Sequence, residues 1–308
     1  MLDSDTLVSI GLPVRNGAAR LEGVVRSVLA QDHGDIELVI CDNASTDGTE
    51  EICRELARSD GRIVYRRHPE NIGLLNNFRY AGDLARGTFF RWIGDDDRLE
   101  PGYVSRSLQA FAEDERLILV TTQMSYTNPD GTVQTSVYQS TALLSGDPVD
   151  RFAEMLRVLN ENHLMIDPLY GLMRRAPVMS IPRRNMLRED EVFATKLALA
   201  GPWAHVPEVL AHRHWKHEHI TTVGHRLGVP SWQAHFSSTL QYLEILRWLR
   251  DADLGLTEDQ RRRARAAAHR MYARRQRRTA SRRGRKLVRL ATGMLLPRRP
   301  SKGSPAGS

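Results

Sequence analysis

The sequence predicts an α/β fold, in which a doubly wound, mostly parallel sheet is followed by a basic helical extension. Short apolar runs alternate with amphipathic segments along the first third of the chain, and short loops connect them. Polar residues collect where these apolar runs end. The charge then changes abruptly, because residues 260–308 contain 17 of the 44 Lys and Arg residues and none of the 37 Asp and Glu residues.

The first strand is predicted at residues 7–14, where LVSIGLPV is apolar almost throughout, as in a buried parallel strand. A helix is predicted over 21–29, because Leu21, Val24, Val25, Val28 and Leu29 recur at helical spacing. The same patterns predict strands at 36–41, 62–66 and 88–93, and helices at 49–58, 74–86 and from Pro101 to residue 113.

The second half of the chain is predicted to be more varied. We expect one strand at 117–127, a second one directly after the N-P-D-G turn at 128–131, and a third at 169–174. Helices are expected at 149–159, 189–200 and 240–249. Residues 1–255 then form one domain, and residues 256–308 form a basic helical tail that becomes disordered after Pro297.

Composition sets the class of protein. A chain of 308 residues with 41% hydrophobic residues can bury one large core. Its only cysteines, Cys41 and Cys53, fall at predicted buried positions and make neither a disulfide framework nor a zinc quartet. The N-terminus does not resemble a signal peptide, and no apolar run approaches the roughly 20 residues that span a bilayer. We expect a cytoplasmic protein, either soluble or peripheral on the inner face of the cell membrane.

Three consecutive aspartates, residues 95–97, follow the strand predicted at 88–93. Adjacent carboxylates repel one another unless a cation compensates them, so they form a candidate divalent-metal site, with a solvated acidic turn as the alternative. The loop after the first strand, PVRNG, has neither the G-x-G-x-x-G of a dinucleotide fold nor a P-loop. A metal held by the aspartates could therefore neutralise the diphosphate of a nucleotide.

Four segments are similar to successive motifs of one known family. They are VSIGLPVRNGAARLEGVVRSVLAQ, IELVICDNASTDGTEE, NIGLLNNFRYAGDLARGTFFRWIGDDDRLEP and LREDEVFATKLALAG. In this order they resemble family 2 glycosyltransferases of the GT-A fold over residues 7–215. The resemblance implies inverting, metal-dependent transfer of a sugar from a nucleotide to an acceptor hydroxyl. Residues 1–100 would be the nucleotide-binding half and residues 101–255 the acceptor half.

The resemblance also assigns donor-binding residues. Pro13 and Asn16 match the loop beside the donor base, and Asp42 matches the aspartate that reads the base, typically uracil. Asp47 matches a position that shapes this loop, although an aspartate two residues before a helix is also a common cap. Asn71 matches the family's N-x-G turn, whose glycine supplies backbone freedom. A UDP-sugar is the expected donor.

The aspartates and a later acidic group match the reactive positions of the family. Many relatives read D-x-D-D at the triplet, so this chain lacks the first carboxylate under one alignment. We assign Asp96 to a Mg²⁺ or Mn²⁺ ion, Asp95 to the donor ribose or the metal shell, and Asp97 to the metal site on its acceptor side. Asp190, between Glu189 and Glu191, matches the general base. The same acids could instead stabilise the N-terminus of a helix through its dipole.

Four histidines lie within AHRHWKHEHITT, at positions 212, 214, 217 and 219. Alternation would place His212 and His214 on one face of a strand, and relatives carry a histidine near the metal or diphosphate here. We favour His214 or His217 as an auxiliary metal ligand over a dedicated zinc site, because no cysteine pair accompanies the cluster. A solvated polar loop is the remaining alternative.

The basic tail opens with a capping box, Thr257-x-x-Gln260, which predicts a helix. Further on, leucines among arginines at 287–296 form a short basic amphipathic stretch that suits an anionic membrane. We favour a membrane over nucleic acid, because aromatic residues are almost absent and lipid-linked acceptors are common in this family; a solvated tail is the third possibility. Since every proposed catalytic residue lies upstream, removal of the tail after Leu256 is expected to spare donor hydrolysis.

Two other classes of function remain open on sequence alone. A sugar-phosphate nucleotidyltransferase would carry a glycine-rich basic loop near its N-terminus, which this chain lacks. A nonenzymatic scaffold with a polyanion-binding tail would have lost acids that this chain keeps, among them Asp42, Asp96 and Asp190. The expected acceptor is a carbohydrate or a lipid-linked molecule. The sequence does not identify the sugar.

Overall fold

The computed structural model describes residues 6–161, 165–215 and 218–295, with side chains described as far as Ser281. In the first part of the chain strands and helices alternate as predicted. The elements are β1 (Val8–Val14), α1 (Leu21–Leu29), β2 (Ile36–Asp42), α2 (Thr49–Ser59), β3 (Ile63–Arg67), α3 (Leu74–Leu84), β4 (Phe89–Trp92), β5 (Arg98–Leu99) and α4 (Tyr103–Glu113).

The second part contains more elements than the sequence patterns predict. They are β6 (Leu119–Thr127), β7 (Val133–Thr135), α5 (Pro148–Glu161), β8 (Leu172–Arg174), α6 (Arg175–Met179), α7 (Glu189–Ala200), β9 (Trp203–His214), α8 (Ile220–Leu227), α9 (Gln233–Trp248) and α10 (Glu258–Leu295). Short 3₁₀ turns occur at Ala142–Leu144, Pro168–Tyr170 and Ala252–Leu254. The helix α8 is not predicted, and only the end of β9, with His212 and His214, is considered as a strand, because mixed polar and apolar residues in both elements give no clear period.

The strands form one sheet in the order β3-β2-β1-β4-β8-β6-β9-β5, with β7 paired to β6. The first four strands are parallel, so β1, β2 and β4 end at one edge. The pairings of β8 with β4 and with β6 are antiparallel, whereas β9 runs parallel to β6. The predicted α/β fold with its parallel sheet is confirmed, and the antiparallel strands are an addition from the second half.

The helix α10 begins with the predicted capping box, since Thr257 and Gln260 exchange hydrogen bonds of 3.0 and 3.2 Å. Its first turns do not form a separate tail. Small and apolar residues pack in a core cluster with α5 and α9, namely Ala264, Ala267, Ala268 and Met271. This packing argues against the expectation that removal of the segment after Leu256 spares donor hydrolysis.

Two other expectations about the C-terminal region have different outcomes. The basic amphipathic stretch at 287–296 falls beyond the described side chains, and residues after 295 lie outside the described residues. Within the described ranges, no helix is both long and apolar enough to cross a membrane.

Candidate active site

The loop after β1 is braced against the loop after β2. Asn16 adopts a positive φ of 55°, its backbone N–H donates to Ser45 Oγ at 2.9 Å, and its Oδ1 accepts from the Thr46 N–H at 2.9 Å. Pro13 is half-buried near the end of β1. These two predicted donor-site residues therefore lie at the carboxyl edge of the sheet, where Asn16 joins two loops.

Asp47 acts as a cap in this structure. Its Oδ1 accepts from the backbone N–H of Thr49, the first residue of α2, at 3.0 Å, and its Oδ2 accepts from the Ala18 N–H at 3.3 Å. The capping alternative is thus observed, and the same carboxylate also ties α2 to the loop after β1.

Asp42 lies at the end of β2, as predicted, but its carboxylate does not face the cleft. The side chain is 0% exposed and accepts hydrogen bonds from the Ser45 N–H at 2.9 Å and the Tyr65 hydroxyl at 3.0 Å. The Arg67 Nε lies 3.5 Å away. In this conformation Asp42 holds the loop in place, and a direct contact with a donor base is not available to it.

The next residue, Asn43, connects this loop to the predicted N-x-G turn. Its Nδ2 donates to Asn71 Oδ1 at 2.7 Å, and its Oδ1 accepts from the Ile72 N–H at 2.8 Å. Gly73 completes the turn with a φ of 88°, which strongly favours glycine. Asn71 therefore belongs to the loop edge, as predicted, whereas the bridging role of Asn43 was missed.

This turn forms one wall of an open cleft of about 350 Å³. The opposite wall is the end of α8, and the lining residues include Asn71, Asn76, Asn185, His225 and Arg226. A cleft of this size can hold a small organic ligand. The cleft lies between residues from the first half of the chain and α8, a helix that the sequence patterns do not predict.

Arginines compensate two of the three aspartates in the triplet. Arg20 Nε donates to Asp95 Oδ2 at 3.0 Å. Asp97 is buried, accepts from the Gly94 N–H at 3.0 Å through Oδ2, and lies 3.3 Å from Arg213 Nε through Oδ1. Both oxygens of Asp97 thus have internal donors, and its assignment to the metal site stays a prediction.

Asp96 is half-exposed, and His214 lies directly beside it. The ring Nδ1 of His214 is 2.8 Å from the Asp96 carbonyl oxygen, an acceptor that selects the Nδ1–H form of a neutral imidazole. The lone pair of that form resides on Nε2, which is how metal-ligating histidines are usually oriented. One carboxylate and one imidazole suit Mn²⁺ or Mg²⁺ when a diphosphate supplies further oxygens.

The other histidines of the cluster have separate roles. His212 Nε2 lies 2.7 Å from Glu100 Oε1, and its Nδ1 lies 2.7 Å from Ser125 Oγ. His219 caps α8, and His217 lies outside the described residues. Among the residues described, no three His, Cys, Asp or Glu side chains converge as a metal cage would require. The histidines therefore do not form a zinc site within that part of the chain.

The acidic group at the start of α7 is divided by its arginine partners. Glu189 is buried and accepts from Arg183 Nη2 at 2.7 Å. Glu191 accepts from Arg275 Nη2 at 2.7 Å, which helps to lower its pKa against the opposing effect of burial. Asp190, between them, has a side chain that reaches solvent.

Asp190 is exposed to solvent, although many protein atoms lie around its carboxylate. Desolvation, together with the negative charges of Glu191 and Glu189, raises the pKa of Asp190 to about 7. A carboxylate with such a pKa is well matched to proton transfer near neutral pH. Because the group also opens α7, the dipole alternative and the proposed base are compatible.

Arg213 links the aspartate triplet to the neighbourhood of Asp190. It forms ion pairs with Asp97 and with Asp167, and its guanidinium carbon lies 3.6 Å from the ring centre of Tyr170. Asp167 is close enough to contribute to the raised pKa of Asp190. Sequence reasoning missed Arg213 and Asp167, although Arg213 stands within the histidine cluster that drew attention to this segment.

Arg275 is the other missed residue, and it comes from α10. Besides Glu191, it donates to Asn160 Oδ1 at 2.9 Å and to the Leu159 carbonyl oxygen at 3.2 Å. An ion pair between α10 and α7 therefore lies one residue from Asp190. No local sequence signal distinguishes Arg275 from the many arginines around it.

Comparisons with known proteins agree with this geometry. The family model described as glycosyl transferase family 2 matches residues 9–181. The chondroitin synthase of Pasteurella multocida is 34% identical over 132 residues, which are 43% of this chain and 14% of that protein. The chain thus spans a small part of the length of this curated relative.

Two solved structures share the fold. S. aureus TarS 1–349 in complex with UDP-GlcNAc has a TM-score of 0.60 at 18% identity, over 87% of this chain and 72% of that one. The mannosyltransferase PcManGT of Pyrobaculum calidifontis, in complex with GDP-Man and Mn²⁺, has a TM-score of 0.55 at 17% identity, over 94% and 80%. The chain therefore has the fold of these nucleotide-sugar-binding proteins.

Proposed function

The chain belongs to glycosyl transferase family 2, and from this membership we propose how this glycosyltransferase works. It transfers a sugar from a nucleoside-diphosphate sugar to an acceptor hydroxyl, with inversion at the anomeric carbon and with Mg²⁺ or Mn²⁺ as cofactor. The product would be a polysaccharide, a glycolipid or another glycoconjugate. Family membership favours this function over the nucleotidyltransferase alternative, and the acids that the chain keeps favour it over a nonenzymatic scaffold.

One observation carries the proposal, namely the ion pairs that Arg213 makes with Asp97 and Asp167. They connect the aspartate triplet, through one cationic side chain, to Asp167, which lies close enough to Asp190 to raise its pKa. A transferase needs its donor phosphates and its base on either side of the anomeric carbon, because inversion requires attack opposite the leaving group.

Asp96 and His214 are the residues that would hold the metal, through a carboxylate oxygen and Nε2. A divalent cation there offsets the negative charge that develops on the departing nucleoside diphosphate. Arg213 already contacts the triplet through Asp97, so its positive charge would add to that stabilisation. Asp95, paired with Arg20, would lie on the ribose side of the donor.

Asp190 is the proposed general base. It would accept the proton of the acceptor hydroxyl while that oxygen bonds to the anomeric carbon. The bond from the anomeric carbon to the diphosphate oxygen breaks in the same step, and its electron pair leaves with the nucleoside diphosphate. Glu189 and Glu191 are engaged by arginines, which favours Asp190 over both.

The nucleoside would lie along the loops that contain Pro13, Asn16 and Asn71, beside the cleft between the 71–73 turn and α8. Asp42 would support this site indirectly, by holding the loop that contains Asn43. Since the compared structures contain both UDP-GlcNAc and GDP-Man, the base has to be tested. We retain UDP-sugars as the expected donors.

The basic segment from residue 260 would bring the enzyme to an anionic membrane on the cytoplasmic side, where lipid-linked acceptors reside. Its 17 basic residues and lack of acids support this idea. Nucleic acid is the less favoured partner. The carbohydrate acceptor is suggested by the matched segment of the chondroitin synthase.

A panel of nucleotide sugars, tested for hydrolysis and for transfer to simple acceptors with and without Mn²⁺, examines the proposal directly. We expect turnover with one donor, dependence on the metal, and loss of turnover in Asp96→Asn. Analysis of the product anomer by NMR should show inversion. Retention of configuration, or full activity in a metal chelator, would contradict the mechanism.

A further inference from the structure

The helix α9 exposes large apolar residues to solvent on one side. Trp232, at its N-cap, together with Phe236 and Leu243, is exposed to 52%, 56% and 53%. Spacings of four and seven residues place all three on one side of the helix. The side that faces the protein is already satisfied, since it buries Ser237 and Gln241 and places Ile245 in the core cluster with α5 and α10. An exposed apolar stripe on a helix whose inner face is already packed indicates a partner outside the described fold.

The helix α10 runs antiparallel to α9 along one edge of this stripe. The ring of Tyr242 stacks on that of Tyr272, with centroids 4.5 Å apart and planes inclined by 10°, and Thr239 Oγ1 lies 3.0 Å from the Tyr272 hydroxyl. Thr239 follows Phe236 by three residues, so the contact with α10 directly adjoins the exposed stripe.

The part of α10 next to the stripe is basic. Arg262, Arg270 and Arg277 are exposed and are spaced by eight and seven residues, which aligns them along one side of the helix. Arg270 and Arg277 form no ion pair within the part of the chain that the structure describes. The helices α9 and α10 are antiparallel and meet at Tyr242 and Tyr272. Helical periodicity then places the basic side of α10 and the apolar stripe of α9 on the same side of the helix pair, facing solvent.

We propose that this surface, which we call the α9–α10 face, docks on an anionic lipid bilayer with its apolar residues inserted among the headgroups. It consists of Trp232, Phe236, Leu243, Arg262, Arg270 and Arg277. The inference rests on the proposed peripheral membrane association and extends it, because half of the surface belongs to the catalytic domain rather than to the basic segment.

A bilayer is the partner that matches both parts of the face. Its headgroup region accepts aromatic rings and arginines in one plane, and its acyl chains accept Leu243 and Phe236. Nucleic acid would engage the arginines and the Trp232 ring but would leave the aliphatic side chain without a partner. A second copy of this chain would bring basic residues against basic residues.

The face also determines where the active site would lie. On its inner side, α9 contacts the acidic group directly, because Gln241 Nε2 donates to Glu191 Oε2 at 3.0 Å. Asp190 would therefore be about one helix diameter, roughly 10 Å, from the membrane side of α9. This depth suits an acceptor hydroxyl on a lipid-linked headgroup.

Sedimentation of the full chain with vesicles tests the proposal. The vesicles contain phosphatidylcholine with phosphatidylglycerol, and vesicles of phosphatidylcholine alone serve as the neutral reference. We expect the triple variant Trp232→Ser, Phe236→Ser, Leu243→Ser to bind roughly tenfold more weakly. In the double variant Arg270→Gln, Arg277→Gln, vesicle affinity should fall about fivefold for each charge removed. High salt should weaken binding of the wild type.

Matched controls lie elsewhere on the surface. Val133 and Val137 are exposed to 65% and 59%, and serine at both should leave vesicle binding unchanged. Arg26 and Arg58 are exposed on α1 and α2, and glutamine at both should change binding only weakly.

Equal binding of the triple variant and the wild type would overturn the proposal and leave the basic segment alone as the anchor. Dimerisation through these residues, or tighter binding to RNA than to vesicles, would also overturn it. Hydrolysis of the donor is measured separately without vesicles. A protein that binds vesicles through this face but hydrolyses no nucleotide sugar would refute the proposed chemistry and leave the docking surface intact.

Discussion

Arginines determine what each acid in the active site can do. Of the aspartate triplet, Asp95 pairs with Arg20 and Asp97 with Arg213, whereas Asp96 lies half-exposed beside His214. In the second acidic group the outer glutamates are likewise engaged, and Asp190 between them reaches solvent. Asp96 and Asp190, the middle acids of the two groups, are the ones proposed for chemistry.

The first prediction concerns Asp190 as the base. Asp190→Asn should lower kcat by about 100-fold or more with little change in nucleotide affinity, because general-base catalysis contributes about 10²- to 10⁴-fold. In the wild type, kcat should rise with pH through about 7, the pKa to which desolvation and neighbouring carboxylates raise this group. Kinetics across pH and calorimetry with a nucleoside diphosphate provide the test. Unchanged turnover would exclude this base.

The same raised pKa predicts an effect on stability. Between its ordinary value near 3.8 and about 7, the folded protein keeps a proton on Asp190 that the unfolded chain releases, so this group makes the fold less stable as pH rises. Asp190→Asn should remove this fall in the free energy of unfolding at high pH. Because solvent reaches the carboxylate, we expect only about 1 kcal/mol, a rise in Tm of about 2–4 °C at pH 8, and no gain at pH 4. Calorimetry at both pH values tests this, and equal shifts would contradict it.

A matched pair of variants separates metal binding from structure in the triplet. With Mn²⁺, a nucleoside diphosphate should raise the Tm of the wild type, and Asp96→Asn should abolish the part of this rise that depends on the metal. Asp97→Asn should lower the Tm of the unliganded protein, since it weakens a buried pair with Arg213, but should retain a metal-dependent rise. The reverse pattern would restore Asp97 as the ligand.

At the scale of secondary structure elements, α10 shows how one helix serves two purposes. Its first turns bury Ala264, Ala267, Ala268 and Met271 against α5 and α9. The opposite side carries arginines into solvent. The packed side explains why the segment from residue 260 onward, which has no acidic residues, begins within the catalytic domain.

Truncation should reveal the boundary between the two parts of α10. Burial of these four side chains contributes about 4 kcal/mol, a large share of the roughly 5–15 kcal/mol that stabilises a typical domain. A chain ending at Leu256 should therefore be insoluble or lose more than about 10 °C in Tm. One ending at Ser281 should keep the wild-type Tm and donor hydrolysis. Full donor hydrolysis by the shorter chain would show that α10 is dispensable after all.

At the scale of the whole molecule, Arg275 joins four helices. It connects α10 to Glu191 on α7, to Asn160 on α5 and to Gln241 on α9. The acceptor half and the basic helix are thereby held together next to the candidate base. This arrangement predicts that the C-terminal helix and the active site unfold as one unit.

A double-mutant cycle examines this connection. Arg275→Met leaves Arg188 as the remaining cationic partner of Glu191. We therefore expect the free energy of unfolding to fall by about 2 kcal/mol and Tm by roughly 5 °C. Glu191→Gln in the same chain should restore about half of that loss, since no buried charge is then left unpaired. Additive effects in thermal unfolding would show that the pair does not couple the helices.

The sequence by itself determined the local features of this protein. Alternating apolar periods predict β1 to β4 and the helices between them, and the T-x-x-Q pattern predicts the start of α10, because neighbouring residues decide both. The loops that carry Asn16, Asn71 and the triplet could also be placed, since parallel strands end at one edge.

Only the tertiary structure decided which acids are available. Asp97 meets Arg213 across 116 residues of sequence, and Glu191 meets Arg275 across 84. Asp42 is buried by Tyr65, from a neighbouring strand. The charges of these residues are visible in the sequence, but their partners depend on how distant elements pack. Residue type alone therefore does not show that Asp42 and Glu191 are held by other parts of the protein.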